Sequence, residues 1–301
     1  MRTKAHLALA AAALAVTILP SESRAALAYT IDNAQTLLRF DTATPGTLTT
    51  VGNFSGATNF LDGIDFRPSN GLLYGYSFVN NSVVIVDPNS AATTFVANLG
   101  TPSSTFDLGI DFNPAADRLR LVNSNDQNLR INVGLPAATN TTVDGALVYA
   151  VGDVSFGISP TINDAAYTNN DNNVATGTQL YYVDYGTDKL VTTAAPNAGL
   201  LNTVGSLGVD ATAFLGFDIF TDPFSGVNTA FAILDVAAVT GLYNINLTTG
   251  AATLLGPVGN GFNVPAGLAI QVAAVPEPGS ALAGAIAVGL CVSGRRRRAK
   301  A

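Results

Sequence analysis

Five residue types are missing from the central part of this 301-residue chain, and their absence excludes whole classes of chemistry. Between Ala26 and Ala274 the sequence contains no His, Cys, Met, Trp or Glu. Without imidazole and thiol groups, this segment cannot use histidine acid–base catalysis, cysteine nucleophiles, soft-metal sites or disulfide bonds. Aspartate is left as its only carboxylate side chain.

Basic residues are also scarce in this segment. It holds 19 Asp against six basic residues, an excess of 13 acidic groups. The six are Arg39, Arg67, Arg118, Arg120, Arg130 and Lys189. Phosphate binding requires clustered Lys and Arg, so the sequence predicts no nucleic-acid partner. A negative surface favours solubility and attracts cations or basic partners.

The first 25 residues have the pattern of a secretory signal peptide. A short basic region is followed by an apolar run from Leu7 to Leu19, a proline and small residues before the chain proper. This order is typical of export, and it predicts cleavage by signal peptidase between Ala25 and Ala26.

The last 27 residues, 275–301, form a second signal. Val275, Pro276, Glu277 and Pro278 precede an apolar stretch from Gly279 to Ser293, and a cluster of four arginines follows. These arginines are Arg295, Arg296, Arg297 and Arg298. The apolar stretch is shorter than the roughly 20 residues of a typical membrane-spanning helix, but the arginines would hold the C-terminus on the cytoplasmic side.

This combination of Pro-Glu-Pro, a short apolar segment and an arginine cluster resembles the PEP-CTERM sorting signal. The resemblance implies transient membrane anchoring through the C-terminal segment and recognition by an exosortase. It also implies removal of the tail, followed by release or attachment at the cell surface. We therefore expect residues 26–274 to act outside the cell.

An internal repeat organises residues 26–274. The segment Gly63–Pro68 recurs as Gly109–Pro114 and, more weakly, as Ser155–Pro160, so that the three prolines are 46 residues apart. Two shorter copies are Gly216–Ile219 and Gly267–Ile270. Short runs in which apolar and polar residues alternate, rich in Thr and Val, follow each of the first four copies. This pattern is typical of strands. About four strands in about 45 residues is the size of a propeller blade.

The two ends of this repeat complete each other. Three predicted strands at the start, Ala28–Ile31, Leu37–Asp41 and Leu48–Val51, lack a preceding motif, whereas the last motif, Gly267–Val272, lacks following strands. We predict an all-β domain, a β-propeller of about five four-stranded blades closed by pairing of N- and C-terminal strands. A solenoid, a pair of sandwiches and a sixth blade remain alternatives, because the fourth unit has room for an extra hairpin around 189–201.

The repeat motif and the paired export signals resemble an uncharacterised secreted bacterial family, the domain of unknown function 4394. The resemblance spans most of residues 26–274. It implies no activity and no site residues.

One position of the repeat carries Asp65, Asp111 and Asp218, with Gly157 and Ala269 in the other two units. On innermost strands these carboxylates would meet near the central axis. They could form a ring of oxygen ligands for a hard cation such as Ca²⁺. The alternative, which we favour, is that each Asp accepts backbone N–H bonds and joins adjacent blades.

Asn- and Asp-rich loops form a second candidate site. We place them between the second and third strands of each blade, on one face of the propeller. The candidate ligand-binding residues are Asn125, Asp126, Asn170 and Asp171. Turn formation explains most such residues, and a glycan or Ca²⁺ surface is the alternative.

These features predict an exported cell-surface or extracellular-matrix protein that is not an enzyme and that binds exopolysaccharide or serves as a structural spacer. The alternative is an extracellular polysaccharide hydrolase or lyase that uses aspartates. No Glu or His supports a general acid, and no pair among the 19 Asp stands out from the others.

Overall fold

The computed structural model of the protein describes residues 26–171, 173–260 and 266–271, which are almost entirely β-structure. Helical structure in these ranges consists of α1 (Ala137–Asn140) and a single 3-10 turn (Pro196–Ala198). No helix in the described ranges is long and apolar enough to cross a bilayer. The predicted signal peptide before Ala26 and the predicted sorting signal lie outside these ranges.

The strands form five sheets, which we call blades 1 to 5 in chain order. Blade 1 contains β1 (Leu27–Ile31), β2 (Thr36–Asp41), β3 (Thr49–Asn53) and β22 (Ala266–Ile270). Blade 2 contains β4 (Ser55–Gly56), β5 (Gly63–Phe66), β6 (Leu73–Ser77), β7 (Ser82–Val86) and β8 (Ala92–Asn98). Blade 3 contains β9 (Leu108–Asn113), β10 (Arg118–Asn123), β11 (Asn128–Ile131) and β12 (Thr141–Val143).

Blade 4 contains β13 (Val148–Tyr149), β14 (Ala165–Tyr167), β15 (Leu180–Asp184), β16 (Lys189–Ala195) and β17 (Leu200–Ser206). Blade 5 contains β18 (Ala211–Thr221), β19 (Asn228–Val236), β20 (Val239–Ile245) and β21 (Ala252–Pro257). The two-residue strands β4 and β13 add parallel to the outer edges of blades 2 and 4.

The five innermost strands close a ring, as the sequence predicts. They are β22, β5, β9, β14 and β18, and each contacts the next, with β18 contacting β22. Strand β22 pairs antiparallel with β1, so that Ala28 lies opposite Ile270 and Tyr29 opposite Ala269. The N- and C-terminal strands therefore complete blade 1, and the five-bladed β-propeller is confirmed.

The hydrophobic core is divided among the five junctions between blades. Because side chains alternate along a strand, each blade presents one apolar face to each neighbour. Tyr29 and Ile31 of blade 1 pack with Ile64 and Phe66 of blade 2, for example, and four similar clusters fill the other junctions. Burial between blades thus stabilises the ring as a whole.

The fourth unit differs from the predicted one in two respects. Residues 155–160 are not strand: they belong to successive turns in which Gly157 has φ +86°, a conformation that does not fit a strand. The innermost strand is instead β14. The segment around 189–201 is no extra hairpin, because β16 and β17 are ordinary outer strands of blade 4. The added length lies on either side of β14.

Candidate functional site

The structure brings Asp65, Asp111 and Asp218 together at the centre of the ring. They lie on β5, β9 and β18, and all three are buried. One carboxylate oxygen from each lies within 4.8 Å of the others. The internal repeat therefore does place these three residues near the propeller axis.

A fourth carboxylate, Asp164, belongs to the same group, and the sequence prediction missed it. We call Asp65, Asp111, Asp164 and Asp218 the carboxylate ring. Asp164 immediately precedes β14 and is also buried. The prediction assigned the repeat position of blade 4 to Gly157, which lies in an exposed turn. The apolar run Ala165–Tyr167 directly after an Asp was the available signal.

Each member of the carboxylate ring accepts a hydrogen bond from the backbone of the next blade. Oδ2 of Asp65 accepts from the N–H of Phe112 at 2.7 Å, and Oδ1 of Asp111 accepts from that of Tyr167 at 3.3 Å. The remaining two junctions use Asp164 with Phe217 at 2.9 Å and Asp218 with Ile270 at 2.5 Å. Four junctions, from blade 2 round to blade 1, are braced in this way.

The innermost strands approach so closely that this level of the propeller is packed. A Cβ atom on Gly109 would lie 2.1 Å from Oδ1 of Asp164, and one on Gly216 would lie 2.6 Å from the backbone of Gly267. Such distances exclude any side chain, which explains the glycine two residues before Asp111 and before Asp218. The carboxylates therefore pack against strands rather than facing an open channel.

Burial controls the protonation of the carboxylate ring. Desolvation raises the pKa of Asp218 to about 7, against the lowering effect of N–H groups from Ile270 and Ile219. Desolvation, reinforced by neighbouring carboxylates, also raises the pKa values of Asp65, Asp111 and Asp164. Protonation and backbone N–H groups together compensate the like charges.

The predicted loop site is divided between the two faces of the propeller. Asn125 and Asp126 lie between β10 and β11, the second and third strands of blade 3. Asn170 and Asp171 instead lie between β14 and β15, the first and second strands of blade 4, so the prediction of one shared face was wrong. Antiparallel strands reverse direction at each step, which puts these two kinds of connection at opposite ends of the blades.

Several of these loop residues have structural partners. Asp126 has φ +60°, and the N–H of Asn125 donates to Oδ1 of Asn123, as in a side-chain-closed turn. Asn170 is buried and donates from Nδ2 to the carbonyl of Ile219, which links blade 4 to blade 5. Asp171 accepts from the N–H of Asn173.

A different cluster lies between blades 3 and 4, on the face that carries the connections between first and second strands. Arg118 and Arg120 alternate on β10, and Arg130 on β11 is the cross-strand partner of Arg120. All three line one cavity of about 340 Å³. We call this cavity the basic pocket, and Asn113, Tyr167 and Asn197 also line it.

Arg120 is the anchor of the basic pocket, with only 3% of its surface exposed. Its Nη1 donates to Oδ2 of Asp144 at 2.7 Å and to Oδ1 of Asn128 at 2.8 Å. Its Nε donates to the hydroxyl of Tyr167, and its Nη2 donates to Oδ1 of Asn197. The guanidinium group is therefore fixed by both blades.

Asp144 is the counter-charge of the pocket. Its side chain is 4% exposed, and Arg130 donates to it from Nε at 3.2 Å and from Nη2 at 3.1 Å. Like charges directly opposite each other on neighbouring strands repel. A single carboxylate between Arg120 and Arg130 offsets that repulsion and leaves the cluster with an excess of positive charge.

The sequence profile of one family, described as a domain of unknown function (DUF4394), matches residues 36–269. The chain belongs to that family. The resemblance stated from the repeat motif is thereby confirmed, whereas the PEP-CTERM resemblance stays a prediction. No curated protein matches this DUF4394 chain.

Three solved structures illustrate what the DUF4394 chain is similar to. A chain from a nidogen/laminin complex is 12% identical, with a match over 83% of this chain and 99% of that one and a TM-score of 0.46. A structural genomics protein of unknown function from Bacteroides thetaiotaomicron is 15% identical over 82% and 67% of the two chains, with a TM-score of 0.47. An auxiliary nutrient binding protein from the same organism is 14% identical over 68% and 55%, with a TM-score of 0.39.

The sequence prediction for this DUF4394 protein did not identify the basic pocket. Half of its six basic residues between Ala26 and Ala274 gather there. The alternation Arg118-Leu119-Arg120 on a predicted strand was the visible signal, since residues two apart share a face of a sheet. Asn197 and Tyr167 come from another blade, and only folding brings them in.

Proposed function

We propose that this protein is an exported, non-enzymatic binding propeller of the cell surface or extracellular matrix, and that the basic pocket is its ligand site. The observation that supports binding is the concentration of Arg118, Arg120 and Arg130 in one cavity of an otherwise acidic domain. Uncompensated like charges in a protein are commonly kept for a ligand of opposite charge.

The carboxylate ring supports a structural role for the centre of the molecule. A glycosidase needs two carboxyl groups that flank a bound substrate, one as acid and one as base or nucleophile. Asp65, Asp111, Asp164 and Asp218 instead bond to backbone N–H groups of adjacent strands, and all are at most 5% exposed. This arrangement favours binding over hydrolysis or lysis of a polymer.

Export and sorting are part of the proposal and rest on the sequence. Signal peptidase would cleave at Ala25–Ala26, and an exosortase would act on the Val275–Pro278 region, with Arg295–Arg298 as the cytoplasmic stop. The chain would be anchored in the membrane only until this tail is removed. Exopolysaccharide outside the cell is the ligand class that such a location favours.

Binding is tested by incubating protein from the native host with that host's own exopolysaccharide. We expect the protein to be retained on the polymer while the polymer keeps its chain length. Shortening of the polymer would replace the proposal by the hydrolase or lyase alternative. Absence of both retention and shortening would leave a structural spacer.

Sorting is tested by intact mass spectrometry of the surface protein from the native host. We expect masses that begin at Ala26 and end near the Pro-Glu-Pro region. A surface protein that still carries Arg295–Arg298 would contradict exosortase processing. A host without an exosortase serves as the control and should leave the tail in place.

A further inference from the structure

The donors that remain free in the basic pocket define what it recognises. We infer that the pocket binds the carboxylate of an acidic saccharide, a uronate unit, at the junction of blades 3 and 4. This inference rests on the proposed binding function and narrows its ligand class. Four features of the pocket support it, namely unused donors, net charge, neutral lining residues and the size of the cavity.

The arginines of the basic pocket have guanidinium N–H groups that no protein acceptor within the described ranges uses. An arginine has five N–H groups. Arg118 uses two, both on Nη1, for the backbone carbonyls of Ala116 and Asp117, and Arg130 uses two for Asp144. Three N–H groups on each of these residues, and one on Arg120, have no acceptor among the described residues. Forks of paired N–H groups match the two oxygens of a carboxylate.

The net charge of the basic pocket favours a singly charged anion. Three guanidinium groups face one internal carboxylate, Asp144, so the pocket carries an excess of about two positive charges. Asp117, which is paired with Arg67 at 2.6 Å, lies beside Arg118 in the chain, and the domain as a whole is acidic. This surrounding negative charge opposes a doubly charged phosphate more than a singly charged carboxylate.

Neutral polar groups also line the basic pocket, and such groups fit the hydroxyls of a sugar. The amide oxygen of Asn113 accepts from the N–H groups of Ala115 and Ala116, and that of Asn197 accepts from Arg120. The Nδ2 groups of both side chains are therefore the part that can donate to a ligand. The hydroxyl of Tyr167 accepts from Arg120 and keeps its own proton to donate. These donors complement hydroxyl and ring oxygens.

An unpartnered hydroxyl lies close to the same cluster. Tyr182 is fully buried, and its hydroxyl has no hydrogen-bond partner in the described part of the chain. It interacts electrostatically with Tyr167, Arg120 and Asp144. A buried polar group without a partner is costly, but Tyr182 is not among the residues that line the basic pocket, so the inferred site does not include it.

The cavity of about 340 Å³ lies at the small end of the roughly 300–1,000 Å³ range of small-molecule sites. It suits one sugar unit with its carboxylate, not a long segment of polymer. A polysaccharide would therefore be held through a single unit, with the neighbouring units in solvent.

The test measures binding of D-galacturonate and of glucose to the protein from the native host by titration calorimetry. Arg118→Gln is the diagnostic variant. Its hydrogen bonds within the protein are two local ones, to the carbonyls of Ala116 and Asp117, so the substitution should leave the fold intact. Arg39→Gln, on β2 of blade 1, is the matched control, because it removes the same charge far from the pocket.

We expect galacturonate to bind and glucose not to bind. Arg118→Gln should weaken galacturonate about tenfold or more, the loss expected for a hydrogen bond to a charged group, and Arg39→Gln should leave the affinity within about twofold. Equal binding of glucose, no binding of galacturonate, or equal effects of the two variants would overturn the inference. Displacement of galacturonate by an equimolar amount of inorganic phosphate would also overturn it in favour of a general oxyanion site.

A parallel measurement separates this inference from the proposed function. Retention on the host exopolysaccharide by both wild type and Arg118→Gln, without galacturonate binding, would refute the uronate pocket and leave the binding function intact. Galacturonate binding without any retention on the polymer would support the pocket and refute the polysaccharide-binding function. If Arg118→Gln does not fold, Arg118→Lys, which keeps the charge but loses the fork, is expected to weaken galacturonate in the same direction.

Discussion

The carboxylate ring and the basic pocket are two clusters of like charge that meet at blade 3, yet they compensate that charge in opposite ways. Asp111 and Arg120 are direct cross-strand partners on β9 and β10, so the clusters begin one strand apart. In the carboxylate ring, raised pKa values and backbone N–H bonds absorb the charge. In the basic pocket, one counter-ion absorbs part of the charge and several donors stay unused.

This difference separates structure from ligand binding. A cluster whose hydrogen-bonding capacity is directed at adjacent strands contributes to the closure of the ring. A cluster that has unused N–H donors beside a cavity can bind a ligand. Changes at the first should therefore alter stability, and changes at the rim of the second should alter binding.

The largest expected effect comes from removing the closing strand. A chain ending at Val264 lacks β22 and with it the N–H of Ile270 that bonds to Asp218. Strand β1 then keeps β2 as its paired strand but has one open edge, and β18 and β5 lose their contacts with β22. Such a chain should aggregate and lose cooperative unfolding, because unpaired edges and exposed apolar faces remain. Thermal unfolding against a chain ending at Ala274 measures this. Equal melting temperatures would contradict the closure on which the ring depends.

Arg120→Met should have the next largest effect. It removes four hydrogen bonds in a buried site and one partner of Asp144, and we expect a loss of about 3–5 kcal/mol in the free energy of unfolding. Arg130→Met is the matched comparison. Because the Arg130 side chain is 36% exposed, its loss should lower the free energy of unfolding far less. Denaturant unfolding of both variants measures the difference. Similar costs would mean that the two arginines are equally structural.

Asp65→Ala should cost about 1–3 kcal/mol, because the buried N–H of Phe112 loses its acceptor. Asp111→Ala should behave similarly, while Asp210→Ala, at an exposed position, should stay within about 0.5 kcal/mol of the wild type.

A stabilising effect of Ca²⁺ would contradict the structural role predicted for Asp65 and Asp111. If added Ca²⁺ raises the melting temperature of the wild type by several degrees and the Asp→Ala variants lose that increment, a bound cation holds the carboxylate ring. The bonds between blades would then be secondary to the ion.

The smallest effect concerns pH. The folded pKa of Asp218, about 7, lies above the unfolded value of 3.8, so the folded state keeps a proton that the unfolded state releases. Its contribution to stability is therefore fully present at low pH and falls as pH rises from about 4 to about 7.

Asp111→Asn tests this pH dependence. The variant keeps an acceptor for the N–H of Tyr167 but removes one charge from the ring. We expect it to be about 1 kcal/mol more stable than the wild type at pH 8, which corresponds to roughly one pKa unit, and to depend less on pH. Melting curves from pH 4 to pH 8 measure both, with Asp210→Asn as the control. An unchanged slope would mean that Asp111 contributes nothing to the pH dependence, and hence that its pKa is not raised in the folded state.

Local pattern was sufficient for most of the fold. Repeated Gly-x-Asp segments marked the innermost strands β5, β9 and β18, and a copy with Ala269 in place of Asp marked β22. The incomplete units at the two ends implied closure. The innermost strand of blade 4 was predicted wrongly. Ser155–Pro160 is similar to the motif in sequence but forms turns around Gly157, and the strand is formed by Ala165–Tyr167, which lacks the motif.

The sequence by itself determined the all-β class, the repeat, the closure of the ring and the meeting of Asp65, Asp111 and Asp218, because alternation along strands and strict repetition are local properties. Only the tertiary structure decided that Asp164 completes the carboxylate ring and that the Asn125 and Asn170 loops lie on opposite faces. It alone also assembled Arg118, Arg120 and Arg130 with Tyr167 and Asn197 around one cavity. Contacts between residues as far apart as Arg120 and Asn197 depend on how blades pack, and no local period of the chain encodes that packing.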